Sequence, residues 1–403
     1  QWRNENGYGF PPEPILRKLD NLRNMDAILA PDGSEPAWPA VDVIVGNPPF
    51  LGGSRLRREL GDDRTEALFA LYKDRVPASS DLVCYWFDKA RAQIERARSQ
   101  RAGLIATQAI RSTGNRHVLD AIKNSLQIFE AWSDKEWITE GAAVRVAIVG
   151  FGSGRYPECH LDGGNVANIN SDLTSEADLT AASRLHENAG ICFQGPSPKG
   201  PFDIEEAVAN RMLTAPPNVN GLPNSDVVRP VLSASDLAGI PRRSWTIDFG
   251  AMPLDEAALY EMPFEYVRTH VFPIRSLNRR STYAEKWWQY AEARQGMREA
   301  LRHVKRYIAT SRVGKHRIFV WVQLRVLAND RTFVFCRDDD FFMGILHSRL
   351  HEVWALSTSS RHGVGNDPTY NNSTCFETFP FPWPPGSEPA DDPRVQAIAQ
   401  AAR

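Results

Sequence analysis

Strand-like and helix-like segments alternate through the first third of the chain, and this alternation constrains the fold more than any other feature. Short apolar runs predict four buried strands, at residues 41–45, 103–107, 128–132 and 144–150. Helical spacing of apolar residues predicts one helix over 82–94, with Ser79 and Ser80 as N-cap residues, and another over 115–126. Strands that alternate with helices predict an α/β layer around a mainly parallel sheet.

The last two of these strands follow each other without a helix, across a polar stretch of about a dozen residues. Consecutive strands joined in this way predict an antiparallel pair at the edge of the sheet. The next segment, residues 152–188, is rich in Gly, Asn, Asp and Ser, which predicts a linker or an irregular surface.

A second region follows, with mixed helical and strand-like patterns. It is predicted to contain helices at 203–213, 282–303 and 341–356, strands at 317–322 and 333–336, and a terminal helix at 393–403. The proline-rich segment 379–385 ends its folded part, because successive prolines continue neither a helix nor a central strand.

The tetrapeptide Asn47-Pro48-Pro49-Phe50 follows directly after the first predicted strand. Its two prolines fix φ and remove two backbone donors, so the chain leaves the strand in a stiff turn. The Asn47 amide oxygen and the following carbonyl then form two convergent acceptors, which suit an exocyclic NH2 group with two hydrogens to donate. Phe50 is placed to stack on the planar ring that carries this amine, at the end of the strands where α/β sheets bind ligands.

Residues 42–50, Asp-Val-Ile-Val-Gly-Asn-Pro-Pro-Phe, resemble motif IV of the S-adenosylmethionine-dependent methyltransferases that modify the amino group of adenine in DNA. The resemblance implies that Asn47 and Pro48 hold the amine, that Pro49 stiffens the turn and that Phe50 stacks on a flipped base. It also implies S-adenosylmethionine as cofactor, with positioning rather than a strong general base as the main catalytic task. The alternative is an ordinary strand-ending turn, because Asn and Pro are turn formers.

Two further residues fit the same resemblance. Asp26 lies 21 residues before Asn47 and is similar to the acid of motif III, which binds the adenine of the cofactor; a solvated turn aspartate is the alternative. The strands predicted from residue 103 onward stand where the family has its fifth, sixth and seventh strands. In the loop between the last two, Trp137 is the candidate for the second wall around the flipped base, with Trp132 or a packing role as alternatives.

The Gly-rich turn that forms motif I of the family is not found before Asp26, and neither is the acidic ribose-binding residue. The glycines at 150, 152 and 154 follow the wrong strand and precede no helix, which predicts an ordinary loop. Because the chain opens at Gln1 rather than Met, we expect either a fragment whose first two strands lie upstream or a degenerate copy.

The formal net charge of −2 conceals a strongly basic stretch. Residues 268–317 hold thirteen Lys and Arg against three Glu, a local charge of +10 that leaves −12 for the rest, and aromatic residues interleave with them. This pattern is typical of a surface that binds nucleic-acid phosphates. The predicted DNA contacts are Arg275, Arg279, Arg280, Arg312, Lys315 and Arg317. A solvated helix face is the alternative, because Arg294, Arg298 and Arg302 form one stripe at i, i+4 spacing.

The order of these parts is similar to that of MmeI-like restriction–modification enzymes, in which a target-recognition domain follows the methyltransferase strands. Looser matches extend this resemblance over most of the chain, at residues 286–288, 311–316, 344–349 and 371–385. The resemblance implies the C-terminal part of a seven-stranded class I methyltransferase sheet in residues 1–152, a linker in 153–188, an α+β target-recognition domain in 189–385 and a short helical tail in 386–403. Double-stranded DNA is the implied partner, with a fused or associated endonuclease domain upstream.

The composition argues against several other classes. Five scattered cysteines without a CxxC pair disfavour a disulfide scaffold and a structural zinc site, and no apolar run approaches the roughly 18 residues of a membrane helix. A reduced, cytoplasmic protein is expected. His347 and His351 lie four residues apart on a predicted helix, but a third ligand is not evident, so we expect packing or surface roles and no metal site.

The sequence therefore predicts a site-specific adenine methyltransferase of duplex DNA within a restriction–modification system. One alternative keeps the amine chemistry but acts on an RNA base or a protein glutamine, which the large basic region disfavours. The other is a non-catalytic DNA-binding module, which the missing Gly-rich turn favours for the isolated chain.

Overall fold

The computed structural model describes residues 22–403 apart from 113, 140–141, 176–178, 180–181, 240–241, 243, 279 and 363–366. The chain forms two compact units, Gln1–Glu176 and Ala177–Arg403, and each has its own sheets and apolar core. Within the described residues, no helix is both long and apolar enough to cross a bilayer.

The first unit is built on a six-stranded sheet. Its strands are β1 Val43–Gly46, β2 Arg101–Thr107, β3 Gln127–Thr139, β4 Ala142–Gly152, β5 Cys159–Leu161 and β6 Gly164–Val166. Their order in space is β1-β2-β4-β3-β5-β6, in which β1, β2 and β3 run parallel and β4 is antiparallel to both of its neighbours. All four predicted strands and the α/β layer are confirmed.

Strand β4 lies inside the sheet, so the predicted antiparallel pair at the sheet edge is wrong in its position. β4 pairs with β2 along seven residues, from Arg101↔Gly152 to Thr107↔Val146, and with β3 on its other side. The chain then returns, and β5 covers the outer edge of β3 through the pairs Glu130↔His160 and Ala131↔Leu161.

The polar stretch between β3 and β4 is strand rather than the predicted loop. The two strands pair out to Thr139↔Ala142, so this stretch is the distal half of a long hairpin. An ion pair across the hairpin, from Arg145 Nε to Asp134 Oδ1 at 2.6 Å, shows why polar residues suit a strand here. Alternating charges can pair across two strands that extend beyond a core.

Two register shifts interrupt this hairpin, between Ile128 and Glu130 and between Trp132 and Lys135. Each of them places one extra residue on β3 opposite the regular ladder of β4. Such bulges bend the strand and increase its local twist.

The helices of the first unit are α1 Leu56–Leu60, α2 Asp62–Leu71, α3 Cys84–Glu95 and α4 His117–Ser125. Both predicted helices exist as α3 and α4, but the predicted N-caps are wrong, because α3 begins only at Cys84. Ser80 lies in the preceding turn, where its hydroxyl donates to the Gly114 carbonyl at 3.2 Å.

Part of the predicted linker belongs to the first unit. Residues 159–166 supply β5 and β6, and the side chains of Ile169 and Leu173 are buried in the same core as the sheet, each with 1% of its surface exposed. The Gly- and Asn-rich composition indicated turns correctly, but these apolar side chains tie the segment to the sheet.

The second unit contains two four-stranded sheets and a two-stranded ribbon. Its strands are β7 Cys192–Gln194, β8 Asp203–Ile204, β9 Val228–Leu232, β10 Trp245–Ile247, β11 Arg306–Ser311, β12 Phe319–Gln323, β13 Leu327–Ala328, β14 Thr332–Phe335, β15 Ser360–His362 and β16 Asp367–Thr369. The sheet orders are β13-β9-β10-β8 and β12-β11-β14-β7, and β15 pairs with β16. The two predicted strands correspond to β12 and β14, whereas the other strands were missed because most are short.

The α-helices of the second unit are α5 Glu206–Leu213, α6 Ala234–Ala238, α7 Leu254–Ala258, α8 Glu261–His270, α9 Phe272–Arg275, α10 Ser281–Glu285, α11 Gln295–Leu301, α12 Asp340–His347, α13 Arg349–Thr358 and α14 Pro393–Ala401. The terminal helix α14 confirms its prediction. The helix predicted at 203–213 begins only at Glu206, because the two residues of β8 precede it.

Two predicted helices are interrupted. The helix predicted over 282–303 divides into α10 and α11, because Arg294 has φ 55° and ψ 59° and the backbone before it bridges Ser197 to Glu292. The helix predicted over 341–356 divides at Ser348, whose extended backbone ends α12 and whose hydroxyl accepts the His351 N–H at the start of α13.

Candidate active site and nucleic-acid interface

The loop of residues 47–50 leaves β1 at the carboxyl edge of the parallel strands. Pro48 is buried, whereas Asn47 is exposed and Phe50 has 38% of its surface exposed. A rigid turn therefore presents an amide and an aromatic ring to the space beyond the strand. This arrangement is compatible with an amino group on a planar ring, and the roles of Asn47, Pro48, Pro49 and Phe50 stay predictions.

A cavity of about 410 Å³ adjoins this loop. Asp26 and Pro49, which the sequence singled out in separate motifs, both line it. Its walls are mostly apolar and include Ile28, Leu29, Leu51, Leu82 and Trp86. A largely apolar cavity with one carboxylate is typical of a site for a planar, weakly polar ligand group.

The Asp26 side chain is fixed at the cavity wall by local contacts and one distant partner. Its Oδ1 accepts the backbone N–H groups of Ile28 at 2.9 Å and Leu29 at 3.1 Å. Its Oδ2 forms an ion pair with Arg64, which lies on α2 and also lines the cavity. Sequence reasoning missed Arg64, because nothing near Asp26 in the sequence indicates a partner 38 residues away.

Trp137 lies on β3, in the distal half of the hairpin, opposite Val144. The pairing places Lys135 level with Val146 and Thr107, so Trp137 is two residues beyond the end of β2. Trp137 therefore lies at the same end of the sheet as the 47–50 loop, the end at which the parallel strands finish. Strands β2 and β4 lie between β3 and β1, so the backbone at Trp137 is roughly 14 Å from the line of β1 at ordinary strand spacing. The role of Trp137 as a second wall for a flipped base stays a prediction.

In the structure, acidic side chains neutralise part of the positive charge of the basic stretch, residues 268–317. Among the cations of the stretch that the structure describes, five form ion pairs: Arg268 with Glu265, Arg294 with Glu292, Arg298 with Asp248, Arg302 with Glu299 and Arg306 with Asp340. Three of these acids lie outside the stretch, so the local charge of +10 overstates the field that a ligand meets. The three arginines do not form one solvated helix face: Arg294 precedes α11 with a left-handed backbone, and the Arg298 side chain is only 20% exposed, whereas that of Arg302 is 73% exposed.

Arg275 and Arg317 are placed unfavourably for the phosphate contacts that the sequence predicted. The Arg275 side chain is 1% exposed, and its guanidinium donates to the carbonyls of Pro198 and Gln289. Arg317 donates to the carbonyls of Ser311 and Pro368, and its guanidinium lies over the Tyr370 ring at 5.0 Å. Burial lowers the pKa of both side chains. They support the fold of the second unit from inside, and the sequence offers no signal that separates them from surface arginines.

Three other predicted DNA contacts are accessible. The side chains of Arg280, Arg312 and Lys315 are exposed, and Arg280 donates to the Tyr283 hydroxyl at 3.0 Å. Arg279 lies outside the described residues. These positions stay predictions of phosphate contacts.

The two histidines have structural partners, as expected. His347 Nε2 lies 3.0 Å from the Phe319 carbonyl. His351 is fully buried, with Nδ1 2.9 Å from the Leu346 carbonyl and Nε2 3.1 Å from the Tyr370 hydroxyl. In the described part of the chain no group of three or more His, Cys, Asp or Glu is arranged to hold a metal ion.

Burial lowers the pKa of His351 to about 4, against 6.5 in an unfolded chain. The folded state therefore disfavours the proton, and this contribution to stability is present above pH 6.5 and is lost as the pH falls below it. We expect the second unit to lose about 2 kcal/mol of unfolding free energy from this group between pH 8 and pH 5. Urea unfolding at both pH values, with His351→Gln as the non-titrating control, measures it. An equal pH dependence in both proteins contradicts the assignment.

An α/β sheet in which β4 is inserted antiparallel between β2 and β3, with an Asn-Pro-Pro-Phe loop after β1, places the first unit among methyltransferase-type domains. Family comparison agrees and extends to the second unit: residues 23–161 match the DNA-methyltransferase domain of MmeI, and residues 228–383 match the MmeI target recognition domain. The chain belongs to the MmeI family. Its fold is a methyltransferase domain followed by a recognition domain and a helical tail, as predicted.

A solved structure shows the same fold. The structure of the type IIL restriction-modification enzyme MmeI in complex with DNA matches with a TM-score of 0.71 and 19% sequence identity, over 90% of this chain and 48% of that chain. The chain thus spans about half the length of that protein. The type IIG restriction endonuclease BpuSI matches with a TM-score of only 0.29 and 10% identity, over 92% of this chain and 49% of that chain, which supports no argument. No curated protein matches the chain.

Proposed function

We propose that this chain is part of a site-specific DNA methyltransferase that transfers a methyl group from S-adenosylmethionine to the exocyclic amino group of adenine in duplex DNA. One observation carries the proposal: Asp26 and Pro49 line the same cavity, although they lie in separate sequence motifs. The membership of the MmeI family supports a role in restriction–modification, with an endonuclease function elsewhere in the complete protein.

In this proposal the 47–50 loop positions the amine. The Asn47 side-chain oxygen and the Pro48 carbonyl accept its two hydrogens, which directs the nitrogen lone pair away from the loop. Phe50 stacks on the ring of the flipped base, and Trp137 is the proposed second wall. Holding the nitrogen in line with the methyl group is the main contribution of these residues, because positioning alone can supply several kcal/mol.

The residues of the cavity suit the adenosyl half of S-adenosylmethionine. A planar adenine fits apolar walls such as Leu29, Leu51 and Trp86, and the Asp26 carboxylate can accept a hydrogen bond from its amino group. When bound, the cofactor supplies an electrophilic methyl group. In residues 22–403 as described, we identify no Gly-rich turn for its amino-acid end.

The second unit is proposed to hold the DNA. Arg280, Arg312 and Lys315 are proposed phosphate contacts, because exposed cations without an acidic partner among the described residues neutralise phosphates most effectively. Arg279 is proposed from the sequence alone. The two alternatives are methylation of an RNA base or a protein glutamine by the same loop, and a recognition module that binds DNA without cofactor. The match to a target recognition domain favours DNA over RNA or protein.

A substrate comparison tests the proposal. The complete natural protein is incubated with radiolabelled S-adenosylmethionine and, separately, with duplex DNA, structured RNA and a protein mixture, and the labelled product is hydrolysed and identified. We expect label in DNA as N6-methyladenine. Label in RNA, in glutamine or on cytosine overturns the proposal. Absence of label, together with DNA binding and no calorimetric signal for S-adenosylmethionine, supports the non-catalytic module instead.

A further inference from the structure

We infer that Asp81 and Asn115 are positioning residues for the 47–50 loop: a relay of hydrogen bonds through these two side chains fixes the loop after β1 to the chain after β2. The inference rests on the proposed function, since it concerns how the amine-holding loop keeps its geometry. Neither side chain lines the cavity or belongs to the predicted motifs.

The relay begins immediately after Phe50. The Leu51 carbonyl accepts the backbone N–H of Leu82 at 2.8 Å, and the Gly53 N–H donates to Asp81 Oδ1 at 3.0 Å. The distal side of the loop is therefore held to the segment just before α3 by one backbone bond and one carboxylate bond. A carboxylate that accepts a backbone N–H forms one of the stronger hydrogen bonds in proteins.

Asn115 continues the relay with both ends of its amide. Its Oδ1 accepts the Asp81 N–H at 2.8 Å, and its Nδ2 donates to the Ala109 carbonyl at 3.1 Å. Ala109 lies two residues beyond the end of β2, and β2 pairs with β1 directly. The Asn115 side chain is only 5% exposed, so water does not replace these bonds readily when they are lost.

The packing around Gly53 leaves this connection little freedom. A Cβ atom on Gly53 would lie 2.2 Å from the Ser79 carbonyl oxygen, so only glycine allows the two segments to approach this closely. The Ser80 hydroxyl adds a parallel bond to the Gly114 carbonyl at 3.2 Å. The relay thus runs from the backbone of residues 51–53 to the Ala109 carbonyl, and the Asp81 and Asn115 side chains supply the bonds between these two segments.

The relay matters for chemistry because the loop itself has few internal restraints. The prolines fix φ, but they leave open where the loop lies relative to the sheet. A displacement of about 1 Å at a reacting group can lower a rate about 100-fold. The relay removes this freedom by anchoring residues 51–53 to two neighbouring segments of the same sheet edge.

The test uses two matched pairs in the complete natural protein. Asn115→Ala is compared with Gln127→Ala, because Gln127 also bonds with both ends of its amide, to the Tyr156 N–H at 3.1 Å and the Tyr156 carbonyl at 2.8 Å. Gln127 lies at the opposite end of the sheet from the loop. Asp81→Ala is compared with Asp81→Asn, which keeps an acceptor oxygen for the Gly53 N–H.

We expect Asn115→Ala and Asp81→Ala to lower kcat for methyl transfer about 30-fold with KM for DNA changed less than about threefold, whereas Gln127→Ala and Asp81→Asn stay within about threefold of the wild type. Hydrogen–deuterium exchange supplies a readout independent of activity. The amides of residues 51–56 should exchange faster in the two affected variants, with melting temperatures matched to those of their controls.

Equal kcat and equal exchange at residues 51–56 in each pair overturn the inference, and so does a loss of activity in Gln127→Ala equal to that in Asn115→Ala. If Asn115→Ala does not fold, the Asp81 pair decides alone, because Asp81 is only partly buried. If the wild type transfers no methyl group, the proposed function fails, while the exchange of residues 51–56 still tests the relay.

Discussion

Replacement of Asn47 by alanine is expected to lower the rate of methyl transfer to duplex DNA about 10²–10³-fold, the size of effect seen when a single oriented hydrogen-bonding group is removed from a reacting centre. The variant removes one of the two acceptors that hold the amine. Because the Asn47 side chain is exposed, folding should be unaffected. Single-turnover transfer from radiolabelled S-adenosylmethionine measures the rate, and a filter-binding titration measures the affinity for DNA, which should stay within about threefold.

Two further variants make this prediction specific. Asn165→Ala removes an exposed asparagine from β6 in the same unit and should keep the wild-type rate. Asn47→Asp keeps an acceptor oxygen, so its rate should lie between those of the wild type and the alanine variant. Transfer by Asn47→Ala at the rate of Asn165→Ala would remove the 47–50 loop from the mechanism.

Replacement of Asp248 by alanine is expected to destabilise the second unit by about 3 kcal/mol. The Asp248 side chain is 1% exposed and forms a bidentate pair with Arg298, with both N–O distances at 2.9 Å, and a longer contact with Arg229 at 3.8 Å. Its removal leaves two partly buried cations without their acid. Urea unfolding followed by tryptophan fluorescence measures the change, with Trp287 and Trp288 among the reporters in this unit.

The matched control is Glu265→Ala, which also breaks a bidentate pair with an arginine. Glu265 and Arg268 bond at 2.8 and 2.9 Å, but about 60% of each side chain is exposed to solvent, 58% and 60% respectively. A pair in water contributes less than about 1 kcal/mol, so this variant should unfold nearly as the wild type does. Equal destabilisation in both variants would show that the burial of Asp248 is not what makes its pair important.

The elements of the candidate site could be predicted because each depends on neighbouring residues. The run of Val and Ile before Asn47 favours a strand, and the two prolines after Asn47 favour a rigid turn at the end of that strand. Both preferences are local and do not depend on distant residues. Asp26 was found by its spacing to this motif. Its position in the same cavity as Pro49 follows from the fold and was only implied by resemblance.

The contacts that hold these elements could not be predicted, because their partners are far apart in the sequence. Arg64 lies 38 residues from Asp26, and Arg298 lies 50 residues from Asp248. Helical spacing alone made Arg294, Arg298 and Arg302 look like one solvated face. The left-handed backbone of Arg294 breaks that helix, and no local propensity signals a left-handed arginine.

The second register shift of the β3–β4 hairpin allows Trp132 and Trp137 to lie on the same face of the hairpin. In a regular strand Trp132 and Trp137, five residues apart, point to opposite faces. The extra residue between Trp132 and Lys135 shifts the alternation by one position, so that both indole rings lie on one face. Deletion of Ser133 or Asp134 would remove the bulge and leave Trp137 opposite Val144, so both indole rings would keep the same face. The bulge therefore lets β3 carry one residue more than β4 requires without changing the face that the outer hairpin presents.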